Sequence, residues 1–163
     1  MISSPTVLDL DGPIHFVGIG GAGMYALAEL ILRQGHQLTG CDSKESEATR
    51  RLAELGVEIY LGHDLAHVQG VAGVVTTAAV PPDHPEIRAA RDAGIPVWKR
   101  AEALGQVVNR GKVVAIAGTH GKTSTTAMTV HLLAEAGLDP TGLVGLPLIW
   151  LARTLEELGV PLL

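Results

Sequence analysis

Short apolar runs alternate with amphipathic stretches along most of the chain. Strands are predicted at residues 14–19, 37–41, 57–60, 73–77 and 95–98, where each run is mainly apolar and bounded by glycine, proline or polar residues. Helices are predicted at residues 24–33, 46–55, 85–93 and 100–108, from apolar positions at helical spacing and, for the first three, from the glycine that follows. The alternation indicates a parallel sheet flanked by helices.

A polar, turn-forming stretch at residues 109–112 predicts a domain boundary. Beyond it, the pattern predicts a strand at residues 113–117 and a helix at residues 121–136. The predicted fold class is therefore α/β. A Rossmann-like parallel-sheet domain at residues 1–108 is followed by the first strand–P-loop–helix of a second α/β domain at residues 109–163.

The composition is that of a folded protein with an aliphatic core. Of 163 residues, 47% are hydrophobic, 18% charged and only 3% aromatic, which excludes a disordered class and favours α/β packing over a β-sandwich. A net charge of −5 disfavours a general nucleic-acid surface. Cys41 is the only cysteine, and the chain has neither a secretory leader pattern nor an apolar stretch of about 18 residues. We expect a cytoplasmic protein.

A glycine-rich turn lies between the first predicted strand and the first predicted helix. Gly18, Gly20 and Gly23 fit the pattern G-x-G-x-x-G, in which the glycines allow a tight turn, close approach of a diphosphate and close helix packing. Asp42 ends the second predicted strand, where an acidic side chain usually meets a ribose hydroxyl. The turn suits NAD, but any nucleoside diphosphate would fit it equally well.

A second glycine loop, at residues 118–123, follows the strand predicted at 113–117. The order of strand, loop, Gly-Lys-Thr and helix is that of a P-loop, in which Lys122 reaches the β- and γ-phosphates and the Thr123 hydroxyl binds Mg²⁺. The pattern departs from the strict form at Ile116, where the first glycine would fall, although Gly118 can serve the turn.

Several single residues carry no clear chemical pattern. His36, His67 and His131 have no partner pattern and are interpreted as surface or packing residues, and Cys41 as a small buried residue. Arg100 is expected to pair on the surface with Glu102 or Glu54. No set of His, Cys, Asp and Glu has metal-ligand spacing, so we expect any metal to arrive with ATP.

Residues 15–24 (HFVGIGGAGM) and 117–123 (AGTHGKT) together resemble the Mur ligases of peptidoglycan synthesis. His120 in the loop, together with the Gly-Gly-Ala-Gly-Met turn, most resembles the branch of this family that joins L-alanine to UDP-N-acetylmuramate. The peptide-recycling Mur-type ligases share the histidine but usually lack that turn. Residues 62–63, 76–80, 84–87, 94–97, 100–102 and 133–141 are also similar to that branch, so the resemblance covers roughly residues 13–144.

The resemblance implies that the first domain binds UDP-N-acetylmuramate, not NAD, and that the second binds ATP with Mg²⁺. ATP would phosphorylate the muramate carboxylate, and the amine of L-alanine would attack the acyl phosphate. The implied UDP-sugar contacts are Gly18, Gly20, Gly21, Ala22, Gly23, Met24, Asp42, Ser43, His63, Thr76, Thr77 and Ala78. The implied ATP contacts are Gly118, Thr119, His120, Gly121, Lys122, Thr123 and Ser124, with Lys122 and Thr123 catalytic and Thr123 on the metal.

Residues 146–163 do not resemble the family. We expect a truncated, frameshifted or fragmentary chain that is inactive alone. Leu148, Leu151, Leu155 and Leu158 share one helical face, which predicts a core-facing helix or a surface for self-association. Two further functions stay open: a UDP-sugar-binding module without catalysis, and an NAD-binding oxidoreductase domain. The phosphate loop argues against the second.

Overall fold

The computed structural model describes residues 6–110, 112–142 and 144. The chain divides into two compact units, of which the first ends at Lys112 and the second begins at Val113. Among the described residues, no helix is both long enough and apolar enough to cross a membrane. The leucine face predicted in the C-terminal segment lies outside the described residues.

The first unit is built on a five-stranded parallel sheet with the order β3-β2-β1-β4-β5. The strands are β1 (Ile14–Val17), β2 (Leu38–Asp42), β3 (Glu58–Leu61), β4 (Gly73–Thr76) and β5 (Val97–Lys99). Strand β1 is central and pairs with both β2 and β4. The chain therefore winds outward from β1 in both directions, and its switch point lies at the carboxyl ends of β1 and β4. In open α/β sheets this is where ligands bind.

Helices follow the strands in the predicted alternation, which confirms the α/β fold class. They are α1 (Ala22–Arg33), α2 (Glu47–Glu54), α3 (Pro85–Asp92), α4 (Arg100–Val108) and, in the second unit, α5 (Lys122–Glu135). A 3₁₀ helix at Leu65–Val68, which the sequence pattern did not predict, begins after Asp64, whose side chain accepts the Ala66 amide. A helix this short has no apolar periodicity to reveal it.

The core lies on both faces of the central strands. All four residues of β1 and all four of β4 are buried, as expected for parallel strands covered by helices on both sides. Edge strand β3 is only partly covered. The ionisable side chains of His15, Cys41 and Glu86 are completely buried within this mainly apolar interior. Buried groups of this kind need hydrogen-bond or charge partners.

The strand predicted at residues 113–117 is wrong for the described structure. Residues 112–118 have no regular secondary structure, and Val113 and Val114 are 54% and 69% exposed. A strand exists only through its pairing with a neighbour, and none of the described residues pairs with this segment. The apolar pattern of this segment suits a strand, but a pattern within one segment does not show whether a second strand pairs with it.

Candidate functional site

The first glycine turn connects β1 to α1 at the switch point of the sheet. The amides of Gly18 and Ile19 both donate to the Cys41 carbonyl, at 2.9 and 3.0 Å, so the turn is held against the end of β2. Gly18 has a φ of +78°, which a residue with a side chain rarely adopts. The turn is therefore fixed by hydrogen bonds to the carboxyl edge of the sheet.

Asp42, predicted as the acidic partner of the turn, reaches it directly. Its Oδ2 accepts the Gly20 amide at 2.9 Å, and Ser43 Oγ donates to its Oδ1 at 3.4 Å. A Cβ on Gly20 would lie 2.9 Å from Asp42 Oδ2 and 3.0 Å from Ser46 Oγ. The absence of a side chain at Gly20 is therefore required by the close approach of Asp42 as well as by any diphosphate.

Thr77 borders the same turn from the other side, at the carboxyl end of β4. A Cβ on Gly18 would lie 3.2 Å from Thr77 Cγ2, whereas Thr76 is buried and donates its hydroxyl to the Thr77 carbonyl at 3.4 Å. Ala78 is exposed beside it. The structure thus brings the glycine turn, Asp42 and Thr77 together, as the sequence predicted.

Met24 takes a different position from the other predicted contacts. Its side chain is only 2% exposed, and its amide donates to the Gly21 carbonyl at 2.8 Å. The Met24 side chain therefore points from α1 into the core and offers no group to the surface of the turn. The amino terminus of α1 above it lacks a side-chain cap and has no acidic residue in its first turn. Such a terminus favours an anion.

Arg100 is a component of this site that the sequence interpretation missed. A Cβ on Gly23 would lie 2.7 Å from Arg100 Nη1, so the guanidinium lies directly over the start of α1. The expected surface pairing is wrong, because no ion pair of Arg100 is found in the described part of the chain, and Glu102 instead accepts the Lys99 amide at 2.8 Å. The signal was positional: α4 begins at Arg100, directly after β5 reaches the same edge of the sheet.

Cys41 is buried, as the sequence predicted, but the expectation that His67 has no partner is wrong. His67 Nδ1 lies 2.7 Å from Glu86 Oε1, and its ring stacks on Tyr60 with centroids 4.2 Å apart. Cys41 Sγ donates to Glu86 Oε2 at 3.1 Å. His63, a predicted UDP-sugar contact, has its Nδ1 3.4 Å from each of Cys41 Sγ and Glu86 Oε2. These side chains form one cluster that residue spacing could not reveal.

Glu86 is the centre of this cluster and stays ionised. Burial alone would raise the pKa of Glu86, but the hydrogen bonds from Cys41, His67 and the Asp64 amide together hold this pKa below its ordinary value. A buried carboxylate with several donors is stable in its charged form. Glu86 thereby connects α3 to β2 and to the 3₁₀ helix.

The second unit carries the predicted phosphate loop ahead of α5. Gly118 and Gly121 both have positive φ, at +152° and +75°, so glycine is favoured at each. Lys122 Nζ donates to the carbonyls of Gly118 and Thr119, at 2.7 and 3.2 Å, and so bridges the loop. The amino terminus of α5 has no side-chain cap and no acidic residue in its first turn.

The residues of this loop have the chemistry to bind a nucleoside triphosphate with its metal ion. His120, Lys122, Thr123 and Ser124 are all exposed, and the His120 ring lies 3.3 Å from Thr119 Oγ1. An uncapped helix terminus, a loop with two positive-φ glycines and an exposed ammonium are the features that bind phosphate. Thr123 is positioned in the first turn of α5, where a hydroxyl can reach a phosphate-bound cation.

Comparison with known proteins identifies one family. The model of the Mur ligase family, catalytic domain, matches residues 13–112. The chain is 52% identical over 132 residues to a UDP-N-acetylmuramate–L-alanine ligase of Leptothrix cholodnii, covering 81% of this chain and 28% of that protein. The chain thus spans little more than a quarter of the length of that curated relative.

Solved structures give the same answer for the fold. A UDP-N-acetylmuramate-alanine ligase from Thermotoga maritima is 37% identical with a TM-score of 0.69, covering 78% of this chain and 30% of that one. A murein peptide ligase from Psychrobacter arcticus is 32% identical with a TM-score of 0.72, covering 88% of this chain and 32% of that one.

Proposed function

The chain belongs to the Mur ligase family, and from that premise we propose that it supplies the UDP-sugar site and the phosphate loop of an ATP-dependent ligase. The reaction proposed for the whole protein joins L-alanine to UDP-N-acetylmuramate, a step of cytoplasmic peptidoglycan precursor synthesis for the cell wall. One observation carries the proposal most directly: a glycine turn at the switch point, with Arg100 lying over the uncapped start of α1.

In this proposal, the diphosphate of the UDP-sugar binds at the start of α1. Ala22 and Gly23 are exposed there, and their amides lie in the helix's first turn, where no intrahelical partner exists. The Arg100 guanidinium adds a positive charge and planar donors suited to phosphate oxygens. Thr77 and Ala78 border the turn at the end of β4, and Asp42 and Ser43 border it at the end of β2. We propose residues 1–108 as this domain.

Residues 109–163 are proposed as the beginning of the ATP-binding domain. When bound, MgATP supplies the phosphoryl group that activates the substrate carboxylate. The contribution of this chain is to position and neutralise phosphate charge: the α5 terminus offers amides, Lys122 offers its ammonium and Thr123 offers a hydroxyl to the cation. Most of the relatives' length lies beyond what this chain spans, so turnover is proposed for the whole protein alone.

Two matched substitutions test the diphosphate site by titration calorimetry of the 163-residue chain. Arg100→Ala removes a charged hydrogen-bond donor, worth about 1.5–3 kcal/mol, and should weaken UDP-N-acetylmuramate binding roughly 10- to 150-fold. Arg88→Ala, an exposed arginine of α3, is the control and should leave the affinity unchanged. Equal affinities for the Arg100→Ala variant and the unmodified chain would contradict the proposed diphosphate position.

Lys122→Ala separates the two proposed sites. It should abolish MgATP binding and leave UDP-sugar binding intact, because the hydrogen bonds found for Lys122 Nζ among the described residues go to carbonyls of its own loop. Loss of both ligands would contradict the assignment of separate sites in the two units. Binding of UDP-N-acetylmuramate with no MgATP binding by the unmodified chain would favour the non-catalytic UDP-sugar module instead.

A further inference from the structure

Glu86 is surrounded by nitrogen and sulfur donors from three other parts of the first unit. Cys41 comes from β2, His67 from the 3₁₀ helix and His15 from β1, while Glu86 is the second residue of α3. One donor atom from each of these four side chains lies within 4.8 Å of every other. His15, Cys41 and Glu86 are completely buried, and the His67 side chain is 13% exposed. No step of the proposed ligase reaction uses these four side chains.

The donor set is that of a zinc-class ion. Zinc is bound by thiolate, imidazole and carboxylate in a closed tetrahedron, with bonds of about 2.0–2.3 Å that place neighbouring donors about 3.3–3.8 Å apart. Two pairs among the four side chains lie at hydrogen-bond distances slightly shorter than this, 3.1 Å for Cys41 Sγ to Glu86 Oε2 and 2.7 Å for His67 Nδ1 to Glu86 Oε1. A bound ion would have to bring all four donors, now within 4.8 Å of one another, to this tetrahedral separation.

One of the four side chains, His15, has a buried ring nitrogen without a partner among the described residues. The Nε2 atom of His15 is buried within a fully enclosed side chain. It has no hydrogen-bond partner among the described residues, whereas buried polar atoms normally have one. Its other ring nitrogen, Nδ1, lies 2.8 Å from Thr39 Oγ1. Metal-binding histidines usually hold their second nitrogen in this way, which fixes the ring orientation. A bound cation would satisfy the atom that the protein alone leaves unpaired.

The protonation states of the cluster are compatible with metal binding. Burial is the main cause that lowers the pKa of His15 to about 4, so its ring is neutral and keeps a lone pair at pH 7. Burial also raises the pKa of Cys41, so the thiol is protonated in the absence of a cation and donates to Glu86. A divalent cation would displace that proton, as metals do from coordinating thiols.

We propose that His15, Cys41, His67 and Glu86 together bind one zinc-class divalent cation as a structural site. On binding, the Cys41 S–H bond breaks, a sulfur–metal bond forms and one proton passes to the solvent. The proton between His67 and Glu86 moves to the far nitrogen of the same ring, with no further release. One thiolate and one carboxylate then balance the two positive charges of the cation.

The site would join β1, β2, the 3₁₀ helix and α3 through a single ion. It also lies directly behind the glycine turn, because the Cys41 carbonyl accepts the amides of Gly18 and Ile19. Bound metal should therefore raise the thermal stability of the first unit by mass action. The inference does not depend on the ligase proposal, because it concerns residues outside the turn and the phosphate loop.

Cobalt and zinc titrations of the 163-residue chain, after removal of metal with a chelator, test the site. We expect one ion to bind per chain and to raise the melting temperature. Calorimetric titrations in buffers of different ionisation enthalpy should show that one proton is released per ion. Bound Co²⁺ should give the intense visible bands of tetrahedral coordination and a near-ultraviolet thiolate charge-transfer band. Cys41→Ser should remove the charge-transfer band, and His67→Gln should weaken binding at least tenfold. His36→Gln, outside the cluster, is the control and should bind normally.

Circular dichroism of each metal-free variant shows whether it is folded, and His67→Gln keeps the test open if Cys41→Ser does not fold. A purely hydrogen-bonded network would give no stoichiometric binding and no metal-dependent melting shift, which would overturn the proposal. An octahedral cobalt spectrum would also overturn the proposal. The same holds if His67→Gln binds the metal fully while the double variant His63→Gln, His84→Gln does not bind it. The last result would assign the ion to the more exposed side of Glu86, where those two rings lie.

Discussion

Gly40 in β2 gives the sharpest prediction about how the sheet supports the glycine turn. It pairs with Phe16 of β1 and Ile59 of β3, so its backbone cannot shift without disturbing two ladders. A Cβ at this position would lie 2.5 Å from Ile19 Cδ1 and 2.9 Å from Ile19 Cβ. Ile19 is completely buried and is the second residue of the turn. Gly40→Ala therefore pushes the turn itself out of place.

The expected cost follows from overpacking in a fixed core, about 1–3 kcal/mol. For a domain of about 100 residues, this lowers the melting temperature by about 4 °C or more, measured by circular dichroism. Gly105→Ala is the matched control, because Gly105 lies inside α4 and a Cβ there meets nothing within 4 Å. That change should stabilise the protein by about 0.5–1 kcal/mol, since alanine is the better helix residue.

Ile19→Val identifies the atom responsible. Alone it should cost about 0.5–1.5 kcal/mol for the lost methyl group. Combined with Gly40→Ala it removes Cδ1, the atom in closest conflict, so the double variant should be more stable than the sum of the two costs by about 0.5 kcal/mol or more. Relief is partial because Ile19 Cβ remains at 2.9 Å. Costs that add within about 0.3 kcal/mol, or a Gly40→Ala variant as stable as the parent, would refute the reasoning.

Three other stability predictions follow from single contacts. Ser46→Ala removes the side chain that accepts the Thr49 amide at 3.2 Å and should lower the free energy of unfolding in urea by about 0.5–2 kcal/mol, and an unchanged midpoint would contradict this. Gly73→Ala would place a Cβ 2.5 Å from Leu10 Cδ1 and 2.7 Å from Trp98 Cζ3, so it should cost about 1–3 kcal/mol by the same measurement. The Thr6 hydroxyl, 2.5 Å from Asp9 Oδ2, is the main cause that lowers the pKa of Asp9 below its ordinary value of 3.8. That stabilisation is complete at pH 7 and is lost as pH falls through the folded-state pKa, so Asp9→Asn should lower the melting temperature at pH 7 and have no effect well below pH 3.8.

The parts of the fold that the sequence predicted are those set by local patterns. Apolar periodicity located the strands and helices of the first unit, because burial on one face or on two imposes a repeat on neighbouring residues. The glycine turn and Asp42 were predicted from spacing, since both belong to one strand–turn–helix–strand unit. The strand prediction for residues 113–117 was wrong because a strand also needs a neighbouring strand, and a local sequence pattern does not show one.

The parts that the sequence did not predict depend on distant contacts. Arg100 lies over Gly23 only because β5 delivers it to the same edge as β1, 77 residues later in the chain. Glu86 lies 45 residues from Cys41 and 19 from His67, and only the order of the strands brings the three together. Spacing rules for metal ligands cover residues on one loop or helix, so they overlooked this set.

Titration calorimetry of the 163-residue chain with UDP-N-acetylmuramate and with NADH tests the central claim most directly. We predict saturable binding of UDP-N-acetylmuramate with one site per chain, weakened by Arg100→Ala and unaffected by Lys122→Ala, and no saturable binding of NADH. Tight NADH binding with no response to UDP-N-acetylmuramate would contradict the account and identify the glycine turn as a dinucleotide site.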